Sequence, residues 1–172
     1  MDIKDKGLMA VLEEIEKSML IFKELIEDFF SNLENNTLQK VLEEYLMFFM
    51  YCAISMFQES GAGQSEIDEF QREFYQKMLK NKLLKATTLL DYMETSKNRY
   101  LDFFRILSGN GKEEQLTGKK LNILIAKEAL YLEKLLPKTD KDICSKIYKD
   151  LFVTYNSLLL EIQLLFYSKD NH

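Results

Sequence analysis

The sequence predicts an all-α fold: a single-domain bundle, residues 1–172, of five to six helices around a central, two-sided apolar helix at about 37–60. Three observations predict it. Residues 45–57 read YLMFFMYCAISMF, an apolar run that only Ser55 breaks. A surface helix shows one apolar stripe, whereas a helix apolar all round is buried on every side. Pro occurs once and Gly six times in 172 residues, and so few breakers favour long helices. Elsewhere apolar residues recur in alternating steps of four and three, the spacing of helices packed side by side. No period-two alternation is sustained, and Asn110-Gly111 falls in a polar linker rather than between β-branched runs.

The first helix is expected over about 8–33, with the seam Leu8, Leu12, Ile15, Met19, Phe22, Ile26, Phe29, Leu33. Asn35-Asn36-Thr37 reads as the turn, since Asn tolerates the conformation that ends a helix, and Thr37 as the N-cap of the central helix. A linker this short makes the two helices antiparallel neighbours. Gly61 and Gly63 mark the next break, and Ser65 with Asp68 resembles a capping box. The third helix presents Ile67, Phe70, Phe74 and Met78. Beyond it the seam resumes as Ala86, Leu90, Met93, Lys97, Tyr100, Phe104, Leu107, with Lys97 as the misfit. One helix over 65–107 would be about 64 Å long, too long for this domain, so a break is expected near 80–82 and a second is considered near 95–98. Residues 108–118, SGNGKEEQLTG, form the expected mobile loop. A helix over 119–136 follows, with Leu121, Ile125, Ala129, Leu132 and Leu136 on one face, ended by Pro137. Thr139 or Asp140 caps a last helix over about 141–168, whose seam is Cys144, Tyr148, Leu151, Tyr155, Leu158, Ile162, Leu165.

Composition narrows the function classes. The net charge is −5, spread unevenly: 16 acidic and 6 basic residues over 1–74 against 12 acidic and 17 basic over 75–172. An acidic chain without an Arg-rich patch speaks against nucleic-acid binding. The central run of 13 apolar positions falls short of the roughly 20 that a membrane span needs. Cys52 and Cys144 read as buried free thiols of a reducing compartment. No signal peptide is expected ahead of the first helix, and a cytoplasmic location follows.

Chemistry-bearing motifs are missing. His172, the one histidine, is the last residue, so no Cys-His or Ser-His pair is at hand. No Glu-x-x-His unit or Cys/His cluster suggests a metal, and no cofactor is implied. Gly118-Lys119 fails as a phosphate loop, because the first glycine of that motif falls on Glu113 and Lys120 replaces the Ser or Thr. Glu128 and Glu161 interrupt apolar helices and are read at face edges.

The expected function is therefore non-enzymatic: binding or sequestering another protein, with a homodimer also compatible. The profile of a small acidic helical protein is similar to that of export chaperones, immunity proteins and other partner-sequestering bundles, a likeness of class that carries no residues. Glu13, Glu16, Glu24 and Glu27 on the first helix form the candidate partner surface. The alternative is a helical ligand-binding domain whose apolar cavity lies beside the central helix, lined by Met47, Phe48, Met50, Tyr51 and Met56. Phe49→Asp or Ile54→Asp is expected to prevent folding, since an unpaired buried charge has no compensation.

Overall fold

The computed structural model describes residues 3–80, 89–108, 118–138 and 142–167. These residues form six helices and no strand: α1 (Ile3–Phe29), α2 (Asn35–Glu59), α3 (Gln64–Lys80), α4 (Leu89–Ser108), α5 (Gly118–Leu135) and α6 (Ile143–Tyr167). The expected loop at 108–118 and the expected break at 80–82 fall largely outside the described residues.

The centre of the bundle is α2, which touches all five other helices. Around it α1 lies against α6, α6 against α5, α5 against α4, and α1 against α3. Encirclement is why its apolar run needs no polar face. Tyr45, Leu46, Met47, Phe48, Phe49 and Met50 are six consecutive buried side chains. A tightly spaced aromatic series runs through them, with Phe22 stacked on Tyr45 at 4.1 Å, Tyr45 against Phe49 at 4.7 Å and Phe48 edge-on to Phe103 at 5.6 Å. Such pairs add about 0.5–1.5 kcal/mol each beyond their buried area. The seams read from α1, α3, α5 and α6 supply the facing surfaces: Leu12, Ile15, Met19, Phe22 and Ile26, then Phe70, Phe74 and Met78, then Ile125, Ala129 and Leu132, then Leu151, Leu158 and Ile162. Parallel α2 and α6 meet along their length, Tyr45 reaching Asp150 and Phe57 meeting Phe166.

Helix ends differ from the expected ones by a few residues, and the hydrogen bonds give the reason. Helix α2 starts one turn before its expected cap: Glu34 takes the N-cap position, its carbonyl accepting from the Thr37 and Leu38 amides, so Thr37 lies inside the helix. The turn is therefore 30–34 rather than Asn35-Asn36-Thr37. The other end of α2 is a Schellman motif, with the Gly61 amide on the Gln58 carbonyl and the Ala62 amide on the Phe57 carbonyl. Gly61 sits there at φ 81°, which a side chain disfavours. Gly63, not Ser65, caps α3: its amide donates to Glu66 Oε2 at 2.8 Å, half of a capping box displaced by two residues. Asp142, not Thr139 or Asp140, caps α6, its Oδ1 accepting from the Ser145 amide at 3.1 Å.

Helix α4 corrects two expectations. It runs unbroken through 95–98, and its inward side is turned from the expected seam. Ser96 and Phe103 are buried, while Lys97 and Phe104 are exposed. The rotation follows from Arg99, which the helix must point inward for the ion pairs described below.

Candidate functional site

One stripe of α2 escapes encirclement. Tyr51, Ile54, Ser55 and Gln58 follow at the steps that keep a helical face, and none of the four is fully buried. They floor a groove of about 780 Å³ between α3 and α4. Gln71 and Tyr75 form the α3 wall; Glu94, Ser96, Lys97, Tyr100, Leu101 and Phe104 form the α4 wall. The lining is aromatic and amphipathic. Tyr51 lies 5.6 Å from Tyr100, ring to ring. Leu101 and Phe104 are 47% and 48% exposed at the rim, which makes them available to an occupant. Burial pushes the Tyr75 phenol up, and the adjacent Ser96 and Tyr100 hydroxyls pull it partly back. Burial raises Tyr51 likewise, against Ser55. These groups therefore serve as neutral hydrogen-bond donors and acceptors rather than as acids.

Behind the α4 wall lies a buried ionic cluster. The Arg99 guanidinium donates through Nε to Glu44 of α2 at 2.5 Å and through Nη2 to Glu128 of α5 at 2.9 Å. It is held between two rings, 4.5 Å from the Phe103 centroid and 4.2 Å from that of Tyr131. Glu44 and Glu128 are only 4% and 2% exposed. The expectation that Glu128 sits at a face edge is thus corrected: it points into the bundle because Arg99 is there to meet it. Glu161 does lie at an edge, partly exposed. Burial, then the Glu44 charge, push the Glu128 carboxyl well above the ordinary carboxylate range, with Arg99 pulling against them. Burial alone would lower Arg99, but the two carboxylates more than offset it.

A second polar inclusion ties α2 to α6. The Tyr45 hydroxyl donates to Asp150 Oδ2 at 2.8 Å and lies 3.1 Å from Thr154 Oγ1. Burial raises Asp150 from 3.8 to about 6, despite the Tyr45 hydrogen bond. A folded-state pKa above the unfolded one gives stability that is full below about 3.8 and is lost as pH rises through about 6. Asp150→Asn removes that loss while keeping an acceptor for Tyr45. Thermal melts should show the wild type losing stability from pH 4 to pH 8 relative to the variant, by on the order of 2 kcal/mol. Parallel melting curves across that range would refute the coupling.

The residues singled out in the sequence divide. Glu13, Glu24 and Glu27 are exposed on α1, away from the groove, and Glu27 pairs loosely with Lys23 at 3.8 Å. Glu16 is engaged by Lys77 of α3 at 3.1 Å. Of the five pocket residues, Tyr51 lines the groove, whereas Met47, Phe48, Met50 and Met56 are buried in the core. Cys52 is buried and Cys144 only partly so; burial raises both thiols, and neither forms a disulfide. His172 lies outside the described residues. Among the described residues no group of three or more His, Cys, Asp or Glu side chains is placed to hold a metal ion, and no helix is long and apolar enough to cross a membrane.

The groove left one trace in the sequence. Ser55, the single break in the apolar run, lies on the uncovered stripe, with Gln58 three residues on. Glu128 also left one, being three residues after Ile125 and four before Leu132 of the buried face. No protein family, curated protein or solved structure matches this chain.

Proposed function

We propose that this protein is a non-enzymatic binding protein that takes an amphipathic helix of a partner protein into the groove between α3 and α4. The observation that carries the reading is the uncovered stripe of α2. Rods of equal diameter close-pack six around one, and helices pack at about 8–10 Å between axes. Among the described residues α2 has five helical neighbours, and the groove occupies the remaining position. A helix laid there meets Ile54, Leu101 and Phe104 with its apolar face, the mode in which a groove reads anchors at steps of three and four. The half-buried Tyr51 and Tyr100 rings supply rigid contact area. Exposed Glu13, Glu24 and Glu27 favour approach by a basic partner without holding it, since such charges act mainly on association rate. The free thiols suit a reducing, cytoplasmic setting.

A second reading rests on the groove volume. About 780 Å³ lies within the roughly 300–1,000 Å³ of small-molecule sites, so a small apolar ligand is the competing occupant.

Photo-crosslinking separates the two. A photoreactive residue at Phe104 is compared with one at Leu164, which is exposed on the outer side of α6. The expected product forms from position 104 and carries a partner segment with apolar residues at steps of three and four. Leu101→Asp, made in the chain that carries the probe at position 104, should cut that product at least about tenfold, while helix content holds because exposed positions shift stability little. A stoichiometric small-molecule adduct in native mass spectra moves the reading to the ligand domain. Products from position 164 alone, joined to a second copy of the chain, replace it with a homodimer.

A further inference from the structure

We propose that Glu128 is the proton-binding element of a latch that holds α4 against α2 and α5, so that proton loss loosens the α4 wall of the groove. The regulatory part rests on the groove reading above; the latch itself does not. The geometry is a mismatch of charge inside the bundle. Two carboxylates, Glu44 at 4% and Glu128 at 2% exposure, share one guanidinium. Glu128 Oε2 receives Arg99, but Glu128 Oε1 is buried with no hydrogen-bond partner among the described residues. A buried oxygen carrying negative charge without a donor is costly. The same oxygen carrying a proton leaves the cluster with one cation and one anion.

The groups around Glu128 supply no second cation. From α2 come Glu44, which opposes its ionisation, and Cys52, whose thiol is raised by burial first and by the nearby Glu128 second. From α4 come Arg99 and, 3.6 Å from the guanidinium, the half-exposed Asp102, a further negative charge. On α5 itself Tyr131 covers the guanidinium face. On the α6 side of α5, Cys144 faces Glu133 rather than Glu128. Every route to neutrality except the proton therefore runs through Arg99, which Glu44 already occupies. When the proton leaves, the uncompensated charge is relieved by admitting water, and the side that can yield is α4. That helix carries the shared cation and borders the groove rather than the closed side of the ring. Ser96 and Tyr100, on the turns beside Arg99, are groove residues, so a displacement of α4 is read directly in the groove wall.

The sign follows from linkage. A group with a raised folded-state pKa contributes stability that is present below its unfolded value of about 4.5 and is lost as pH rises through the folded one. Asp150 has the same sign, so the effect is read as a difference between wild type and Glu128→Gln. From about pH 5 to pH 9 the wild type should lose at least about 4 °C of Tm relative to the variant. Glu44→Gln should flatten the profile as well, because one carboxylate then matches one guanidinium. Amide exchange over residues 94–106, corrected for its intrinsic pH dependence, should rise with pH in the wild type and stay level in Glu128→Gln. Carboxyl-carbon NMR reports Glu128 directly and does not depend on either variant folding. Titration of that carbon at the ordinary glutamate value, or parallel Tm profiles for wild type and variants, overturns the latch. Crosslinking at Phe104 is independent of these readouts, so the groove and the latch can fail separately.

Discussion

Arg99→Ala will cost about 3–5 kcal/mol at neutral pH, the loss seen when one partner of a buried ion pair is removed. Glu44 is then left without its cation beside Glu128 in the bundle interior, and α4 loses its hydrogen bonds to both α2 and α5. Against a total stability on the order of 5–15 kcal/mol, that is enough to leave a large unfolded fraction. The deficit should shrink at low pH, where the buried Glu128 carboxyl holds its proton. Arg99→Lys rescues little, because a point charge cannot reach both carboxylates and lie flat between the Phe103 and Tyr131 rings. Replacing all three residues together, Glu44→Leu with Arg99→Met and Glu128→Leu, should restore stability to within about 1 kcal/mol of wild type or exceed it. Urea titrations of the single and triple variants at two pH values are the measurement. A neutral-pH Arg99→Ala protein as stable as wild type would mean the cluster contributes nothing.

Phe49→Asp will abolish folding. Phe49 has no exposed surface, and its ring touches those of Tyr45 and Phe48 at 4.7 and 5.0 Å. Truncation of such a phenylalanine alone costs about 3–5 kcal/mol, and an unpaired carboxylate at the same place adds the burial of a charge. Ile54→Asp will behave differently, contrary to what the apolar run suggests. Ile54 is partly exposed on the groove floor, so its carboxylate can stay wet. The expected results are an unfolded or insoluble Phe49→Asp chain, and an Ile54→Asp chain with native circular dichroism and elution volume but no capture at position 104. Equal loss of folding in both would show that the groove floor is as dry as the core.

What the sequence made legible was whatever repeats along a helix. The central helix announced itself because thirteen positions from Tyr45 to Phe57 carry one polar residue, and the seams of α1, α3, α5 and α6 follow fixed steps. What stayed hidden depends on pairs far apart in the chain. Periodicity assigns an ionisable residue to the outside, yet Glu128 is inside because Arg99, 29 positions away, meets it. Glu44 meets Arg99 across 55 positions. The same pairing sets the rotation of α4, so the expected seam through Phe104 missed the buried Phe103. Helix ends were displaced because Glu34 takes the N-cap position through its backbone alone and Gly63 through its backbone amide and carbonyl, which residue type does not reveal. The groove is a missing neighbour, and a missing neighbour leaves only the weak mark of Ser55.

The encircled helix also sets a clock for the protein's birth. Tyr45 finds Asp150 across 105 positions of chain. At about 5–20 residues per second, roughly 5–20 s separate the synthesis of the two. Throughout that interval the greasiest segment of the chain has left the ribosome, or is leaving it, without the helix that will cover one of its sides. It is then a sticky rod, open to misassembly with its neighbours on the same message. A cell that makes this protein quickly has reason to shield residues 45–57 until α6 arrives, and slowing translation before residue 143 would lengthen the exposure rather than help.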